Sequence, residues 1–118
     1  KADVGALIHE KHMEQVLSYI QSGIDEGATL LLGGSRVTDN GLGRGFYIAP
    51  TIFSDVTPDM TIFREEIFGP VLAVTRFNSV DQAIALANDT NYGLGNGVWT
   101  KDIDKAIRVS RELRSGTV

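Results

Sequence analysis

Residues 71–87 have the sequence VLAVTRFNSVDQAIALA, in which a hydrophobic run passes directly into a helical pattern. The β-branched and aromatic residues over 71–77 predict a strand. Ser79 and Gln82 have the spacing of a helix capping box, and the apolar residues after Ser79 recur at helical spacing. These features predict a helix over residues 80–87. A strand followed at once by an amphipathic helix is the repeating unit of α/β folds.

The remainder of the C-terminal half continues the alternation. Residues 98–100 predict a short extended segment, and Asp102 is expected to cap a second helix that Gly116 ends. Residues 117–118 indicate the start of a further strand. This order predicts an α/β fold, namely a parallel-sheet βαβαβ segment with right-handed crossovers. We expect it to be truncated at both ends, because its last strand has two residues and the chain does not begin with Met.

The N-terminal half carries a further helix and extended segments. Residues 10–26 predict an amphipathic helix with Gly27 as its C-terminal stop. Its apolar stripe consists of Met13, Val16, Leu17, Ile20 and Ile24. Residues 28–32 predict a buried strand, residues 33–45 an exposed loop or hairpin, and residues 46–56 an extended chain interrupted at a proline.

Composition narrows the classes of function. The 118 residues fit one compact unit, and Leu, Ile, Val and Phe make up about 30% of them, above the ~20% typical of disordered chains. The net charge of −4 has the wrong sign for binding nucleic acid or an anionic membrane surface, and favours small-molecule or protein partners. No apolar run is long enough to span a bilayer. The absence of Cys excludes disulfides and a cysteine nucleophile within these residues, and the acidic composition indicates a cytoplasmic protein.

Glycines and histidines give no motif for phosphate or metal binding. Two glycine clusters miss the dinucleotide fingerprint because Phe46 and Val98 stand where its last glycine is required. His9 and His12 lie three residues apart, one short of the zinc-protease spacing, and the sequence offers no third ligand. We therefore expect no metal site and interpret the glycines as turn residues.

The most unusual stretch is residues 63–71, FREEIFGPV, a polar turn that leads into a strand. Ligands of open α/β sheets bind near strand ends, where carboxylates accept hydrogen bonds from ribose hydroxyls. A carboxylate with an aromatic residue two positions later could hold a sugar and its attached ring. The residues alone favour a solvated surface turn, since adjacent acidic side chains usually lie in water.

Taken as a whole, the stretch resembles the aldehyde dehydrogenase superfamily, whose signature at this point is EExFGPV and which here has the form EEIFGPV, residues 65–71. Further segments resemble that family in the same order: residues 5–8, 46–51, 87–94, 97–102 and 115–118. The resemblance covers essentially the whole chain. It implies that residues 1–118 are a single, incomplete part of an aldehyde dehydrogenase catalytic domain.

The resemblance also implies a reaction. Such enzymes depend on NAD or NADP and oxidise an aldehyde to a carboxylic acid through a thiohemiacetal on a cysteine. It assigns Glu66 to the hydroxyls of the nicotinamide ribose and Phe68 to contact with the nicotinamide ring, and it gives Glu65 no such role. The family's catalytic Cys and base Glu are not among these residues, so we expect no catalytic residue here and an inactive isolated chain. An aldehyde substrate and a homo-oligomeric enzyme are the implied partners.

A different class of function remains open from the sequence. The chain could be a stand-alone, non-catalytic α/β module that binds a partner or a nucleotide through the same turn. An upstream reading frame that contains a cysteine and a dinucleotide-binding domain would decide for the enzyme. The enzyme interpretation also predicts that the isolated chain self-associates through surfaces that its missing neighbours would cover.

Overall fold

The computed structural model describes residues 4–118, which form two compact units. The first unit ends at Arg76 and contains α1 (Glu10–Asp25), β1 (Thr29–Leu32), a 3₁₀ turn (Leu42–Arg44), β2 (Thr51–Ser54), α2 (Thr61–Arg64) and β3 (Val71–Ala73). The second unit, Phe77–Val118, contains α3 (Val80–Asn88) and α4 (Ile103–Glu112). The predicted α/β class is confirmed. Over residues 4–118, no helix combines the length and apolar character needed to cross a membrane.

Helix α1 is the predicted amphipathic helix, and both of its ends are capped. The His9 side chain accepts a hydrogen bond from the His12 N–H at the start, at 3.0 Å. At the end, Gly27 has φ 96°, and the Ala28 N–H donates to the Gly23 carbonyl, the bonding pattern in which a glycine ends a helix. The predicted stripe is wrong at Ile24, which is exposed. The buried residue of that turn is Gly23. A Cβ at Gly23 would lie 2.9 Å from a methyl group of Ile62, so the helix packs too closely there for a larger residue.

The three strands form one mixed sheet in the order β1-β2-β3. Strands β2 and β3 are parallel, whereas β1 is antiparallel to β2. The prediction had placed the parallel strands at residues 71–77, 98–100 and 117–118, and of these only the first contributes a strand, β3. Phe53 on β2 is fully buried in a core that includes Met13, Val16 and Ile20 of α1. Thr51 is the buried polar residue of β2, and its hydroxyl donates to the Ala49 carbonyl and accepts from the Gly34 N–H. The sheet thus buries one face against α1.

The predicted burial of residues 28–32 is wrong, although the strand itself is present. Only Ala28 is buried, while Leu31 is 61% exposed. The reason is topological, because β1 is an edge strand with a bulge between Leu30 and Leu32. The strand register pairs Leu32 with Ile52 and Ile52 with Leu72. These three side chains therefore form an apolar row on the face of the sheet opposite to Phe53.

In the second unit, side chains define where each helix begins. The Ser79 hydroxyl accepts from the Gln82 N–H, and the Gln82 side chain accepts from the Asn78 N–H, which confirms the predicted start of α3. Asp102 caps α4 as predicted, accepting from the N–H groups of residues 104 and 105. Arg108 of α4 pairs with Asp81 and Glu112, and the hydrogen bonds to Glu112 and Asp81 raise the pKa of its guanidinium.

Two sequence expectations fail in this unit. Helix α4 ends at Glu112, before Gly116, because the Asn88 amide donates to the Glu112 carbonyl at 2.9 Å and accepts from the Arg114 N–H at 2.7 Å. These bonds satisfy backbone groups that would otherwise form hydrogen bonds within a further turn of the helix. Residues 98–100 form no strand, and the parallel bridge joins Gly95 to Thr117 instead.

Replacement of Asn88 by Asp tests the clamp between α3 and the end of α4. Asn88→Asp removes the donor to the Glu112 carbonyl and places a negative charge at a helix C-terminus, which the helix dipole disfavours. We expect a loss of about 1–3 kcal/mol in unfolding free energy at neutral pH, measured by urea denaturation. Asn91→Asp is the matched control, because Asn91 is exposed. Equal losses in both variants would contradict the clamp.

The apolar row of Leu32, Ile52 and Leu72 predicts that the 118-residue chain self-associates, since exposed apolar surface favours association. Leu72 is 56% exposed, so Leu72→Lys should lower the molar mass seen by light scattering towards that of a monomer. Ile8→Lys, at an exposed residue outside the sheet, should leave it unchanged. A wild-type chain that is monomeric at high concentration would refute this prediction.

Candidate functional site

The segment from the first residue of α2 to the residue before β3, residues 61–70, carries the residues that the sequence analysis selected. Its start is fixed by Glu26, whose carboxylate accepts from the N–H and hydroxyl of Thr61 at 2.7 and 2.6 Å. Its end is fixed by the Pro70 carbonyl, which accepts from the Thr51 N–H of β2 at 2.8 Å. The segment is therefore tied both to the end of α1 and to the central strand.

The two adjacent glutamates have different environments. Glu65 is extended, and its carboxylate accepts a hydrogen bond of 2.6 Å from the Tyr19 hydroxyl on α1. Glu66 is exposed, and no residue within the described part of the chain hydrogen-bonds its carboxylate. One glutamate thus joins the segment to α1, while the other remains available to a ligand.

Phe68 has an unusual backbone conformation. Its φ is 49°, in the left-handed region, where a non-glycine residue is strained by about 1–3 kcal/mol. Its side chain is 76% exposed, and its ring stacks on the His12 ring with centroids 6.1 Å apart. The His12 Nε2 lies 2.8 Å from the Phe68 carbonyl oxygen. Helix α1 therefore contacts both the backbone and the ring of Phe68.

Gly69 passes so close to α1 that no side chain fits. A Cβ at this position would lie 2.8 and 2.9 Å from the two methyl groups of Val16, which is fully buried. The Val71 N–H then donates to the Gly69 carbonyl at 2.7 Å in a tight turn that leads into β3. The close packing places Phe68 and Pro70 on either side of a backbone position that cannot shift easily.

The two histidines occupy structural positions. His9 caps α1 and meets the edge of the His12 ring, with centroids 6.1 Å apart. Across residues 4–118, the structure contains no group of three or more His, Cys, Asp or Glu side chains that could hold a metal ion. Sequence reasoning did not connect His12 to Phe68, which is 56 residues away. The sequence carries no signal for that contact.

The geometry defines a candidate ligand site on an α/β protein. An exposed carboxylate and an exposed aromatic ring lie two residues apart on a braced segment that enters a pair of parallel strands. This combination can accept hydrogen bonds from hydroxyl groups and offer an apolar face to a planar ring, as α/β proteins that bind nucleotide cofactors do.

Comparison with known proteins identifies the family. The model of the aldehyde dehydrogenase family matches residues 1–118. The chain belongs to the aldehyde dehydrogenase family. It is 50% identical over 118 residues to the betaine aldehyde dehydrogenase of Bacillus subtilis, covering all of this chain and 24% of that relative.

Solved structures agree with this assignment. The chain is similar to a Mycobacterium tuberculosis aldehyde dehydrogenase in complex with NAD⁺, with 51% identity, a TM-score of 0.93, and coverage of 98% of this chain and 24% of that one. It is also similar to the Staphylococcus aureus betaine aldehyde dehydrogenase in complex with NAD⁺, with 40% identity, a TM-score of 0.95, and coverage of 99% and 24%. The chain thus spans about a quarter of the length of these relatives.

The close approach at Gly69 generates a prediction. Gly69→Ala forces its new methyl group against the buried Val16, so Val16 or the segment must move. We expect a loss of about 1–3 kcal/mol in unfolding free energy, measured by chemical denaturation of the complete protein. Gly5→Ala is the control, because a Cβ at Gly5 meets no atom within 4 Å.

The double variant Gly69→Ala with Val16→Ala separates steric conflict from lost backbone freedom. Removing the Val16 methyl groups should make the Gly69→Ala change less harmful than it is in the wild-type background. Strictly additive losses would show that the contact with Val16 is not the cause.

Proposed function

We propose that this chain is part of the catalytic domain of an NAD- or NADP-dependent aldehyde dehydrogenase, which oxidises an aldehyde to a carboxylic acid, and that it supplies the group that holds the nicotinamide ribose. The observation that carries the proposal is the contrast between the glutamates, since Glu65 is bound to Tyr19 and Glu66 has no partner among the described residues. The NAD⁺ complexes of two similar structures favour NAD as the cofactor.

The residues present suit such a cofactor. The Glu66 carboxylate is exposed and accepts hydrogen bonds only, which matches the donor hydroxyls of a ribose. The Phe68 ring is exposed and lies on a strained, braced backbone, so it offers a fixed apolar surface to a planar ring. When bound, the nicotinamide cofactor accepts the hydride that the substrate loses.

In this proposal, the contribution of the segment is positioning. Hydride donor and acceptor react from about 3–3.5 Å, so a small displacement of the nicotinamide ring slows the reaction strongly. The Glu66 carboxylate would accept hydrogen bonds from the ribose and would thereby limit movement of the attached ring. The bonds from Glu26 to Thr61 and from Thr51 to Pro70 limit movement of the segment that carries this carboxylate.

The nucleophile of the proposed reaction comes from elsewhere, because the chain has no Cys. We therefore propose that the 118 residues alone have no aldehyde dehydrogenase activity and that they act as a part of a larger catalytic domain. The homo-oligomeric state and the cytoplasmic location stay predictions of the same proposal.

Glu66→Gln in the complete enzyme tests the assignment. A charge-assisted hydrogen bond contributes about 1.5–3 kcal/mol, so a weaker grip on the ribose should lower kcat by about tenfold or more. The KM for the aldehyde should change little, and the primary deuterium isotope effect should rise as hydride transfer becomes slower. Betaine aldehyde deuterated at the carbonyl carbon is a suitable substrate, since it is named for the Bacillus subtilis relative.

Glu65→Gln provides the matched control, with the same chemical change one residue away. Because Glu65 contacts Tyr19, this variant should lose some stability and keep its isotope effect. If Glu66→Gln leaves both turnover and the isotope effect unchanged, the assignment of Glu66 is wrong.

A further inference from the structure

Two residues of α1 clamp consecutive residues of the candidate site. His12 contacts Phe68 through its Nε2 and its ring, and Val16, four residues later, packs against Gly69. Residues four apart lie on the same face of a helix, so one face of α1 fixes both backbone positions. The first clamp is polar and the second is steric.

The chemistry of the His12 contact identifies its donor. A carbonyl oxygen only accepts hydrogen bonds, so the proton of the 2.8 Å contact lies on the His12 Nε2. The carbonyl belongs to Phe68, whose φ of 49° is disfavoured for a residue with a side chain. A donor directed at this carbonyl favours the strained conformation over extended alternatives, in which the carbonyl would turn away.

We infer that His12 is a positioning residue for the nicotinamide end of the cofactor and that it acts through Phe68. Its Nε2–H holds the Phe68 peptide in the left-handed conformation, which sets where the exposed Phe68 ring lies. His12 is partly buried, and the inference assigns it no contact with substrate or cofactor. The inference rests on the proposed function, because it needs Phe68 to meet the nicotinamide ring.

Two substitutions in the complete enzyme separate the donor from the ring. His12→Phe keeps an aromatic ring beside Phe68 and removes the N–H, whereas His12→Gln removes the ring and keeps an N–H donor of similar reach. His9→Asn is the matched control, because it replaces the neighbouring imidazole with a residue that can cap α1 equally well.

Two measurements follow the position of the nicotinamide ring, one in binding and one in turnover. The fluorescence anisotropy of bound NADH reports how firmly its reduced ring is held, and it requires no turnover. Steady-state kinetics with betaine aldehyde then give kcat and KM separately.

We expect His12→Phe to lower the anisotropy of bound NADH and to lower kcat about 5- to 10-fold, the factor that one ordinary hydrogen bond supplies, with little change in KM for the aldehyde. His12→Gln should restore both values to within about twofold of wild type. His9→Asn should match wild type. If His12→Gln is as impaired as His12→Phe, the donor is not responsible and the inference is overturned.

A double-mutant cycle with Phe68→Ala distinguishes failure of this inference from failure of the proposed function. If His12 acts through Phe68, adding His12→Phe to Phe68→Ala should cause no further loss. Impairment by Phe68→Ala without any effect of His12→Phe overturns the inference and leaves the proposed function standing. If neither variant changes the anisotropy or kcat, Phe68 does not meet the nicotinamide, so the inference fails together with the Phe68 contact of the proposed function, while Glu66→Gln still tests the ribose contact separately.

Discussion

The close approach of Gly69 to Val16 is the constraint on which the site depends. Val16 is fully buried on α1, so its methyl groups cannot move away from the segment without opening a cavity in the core. The backbone at Gly69 is therefore fixed by core packing. Phe68 precedes this position, and Pro70 follows it with a hydrogen bond to β2. Core packing and site geometry are thus determined by the same contact.

Polar side chains of the same helix extend this control along the whole segment. His12 meets the Phe68 carbonyl, Tyr19 meets the Glu65 carboxylate, and Glu26, the C-terminal cap of α1, meets Thr61. They are seven residues apart, which is close to two helical turns, so the three lie along one side of the helix. Each contact uses a polar group of the segment. Within the described residues the Glu66 carboxylate is left without such a partner.

The sequence predicted features that depend on neighbouring residues and missed those that depend on distant ones. Capping by Ser79 and Asp102 was predicted correctly, because a cap is a contact within three residues. The burial of residues 28–32 was predicted wrongly, since the exposure of a strand depends on whether it lies at the edge of its sheet. The end of α4 was also missed, because its Glu112 carbonyl is bonded by Asn88, which lies 24 residues earlier in the chain. Glu66 and Phe68 were selected by resemblance to a family. Their surroundings could not be predicted from the sequence, because the contacts between α1 and this segment join residues that lie far apart in the chain.

An exposed carboxylate such as Glu66 has little effect on the stability of a protein, because water solvates it well. The backbone on either side of Glu66 is tied to α1 at Glu65 and to β2 at Pro70. A ligand that binds a carboxylate on a flexible loop must also order the loop, which weakens binding. Here folding has already ordered the backbone, so most of the energy of a hydrogen bond from a ligand, such as the ribose that we propose, is available for positioning. The fold therefore favours precise orientation of a ligand at Glu66 over mere attraction to it.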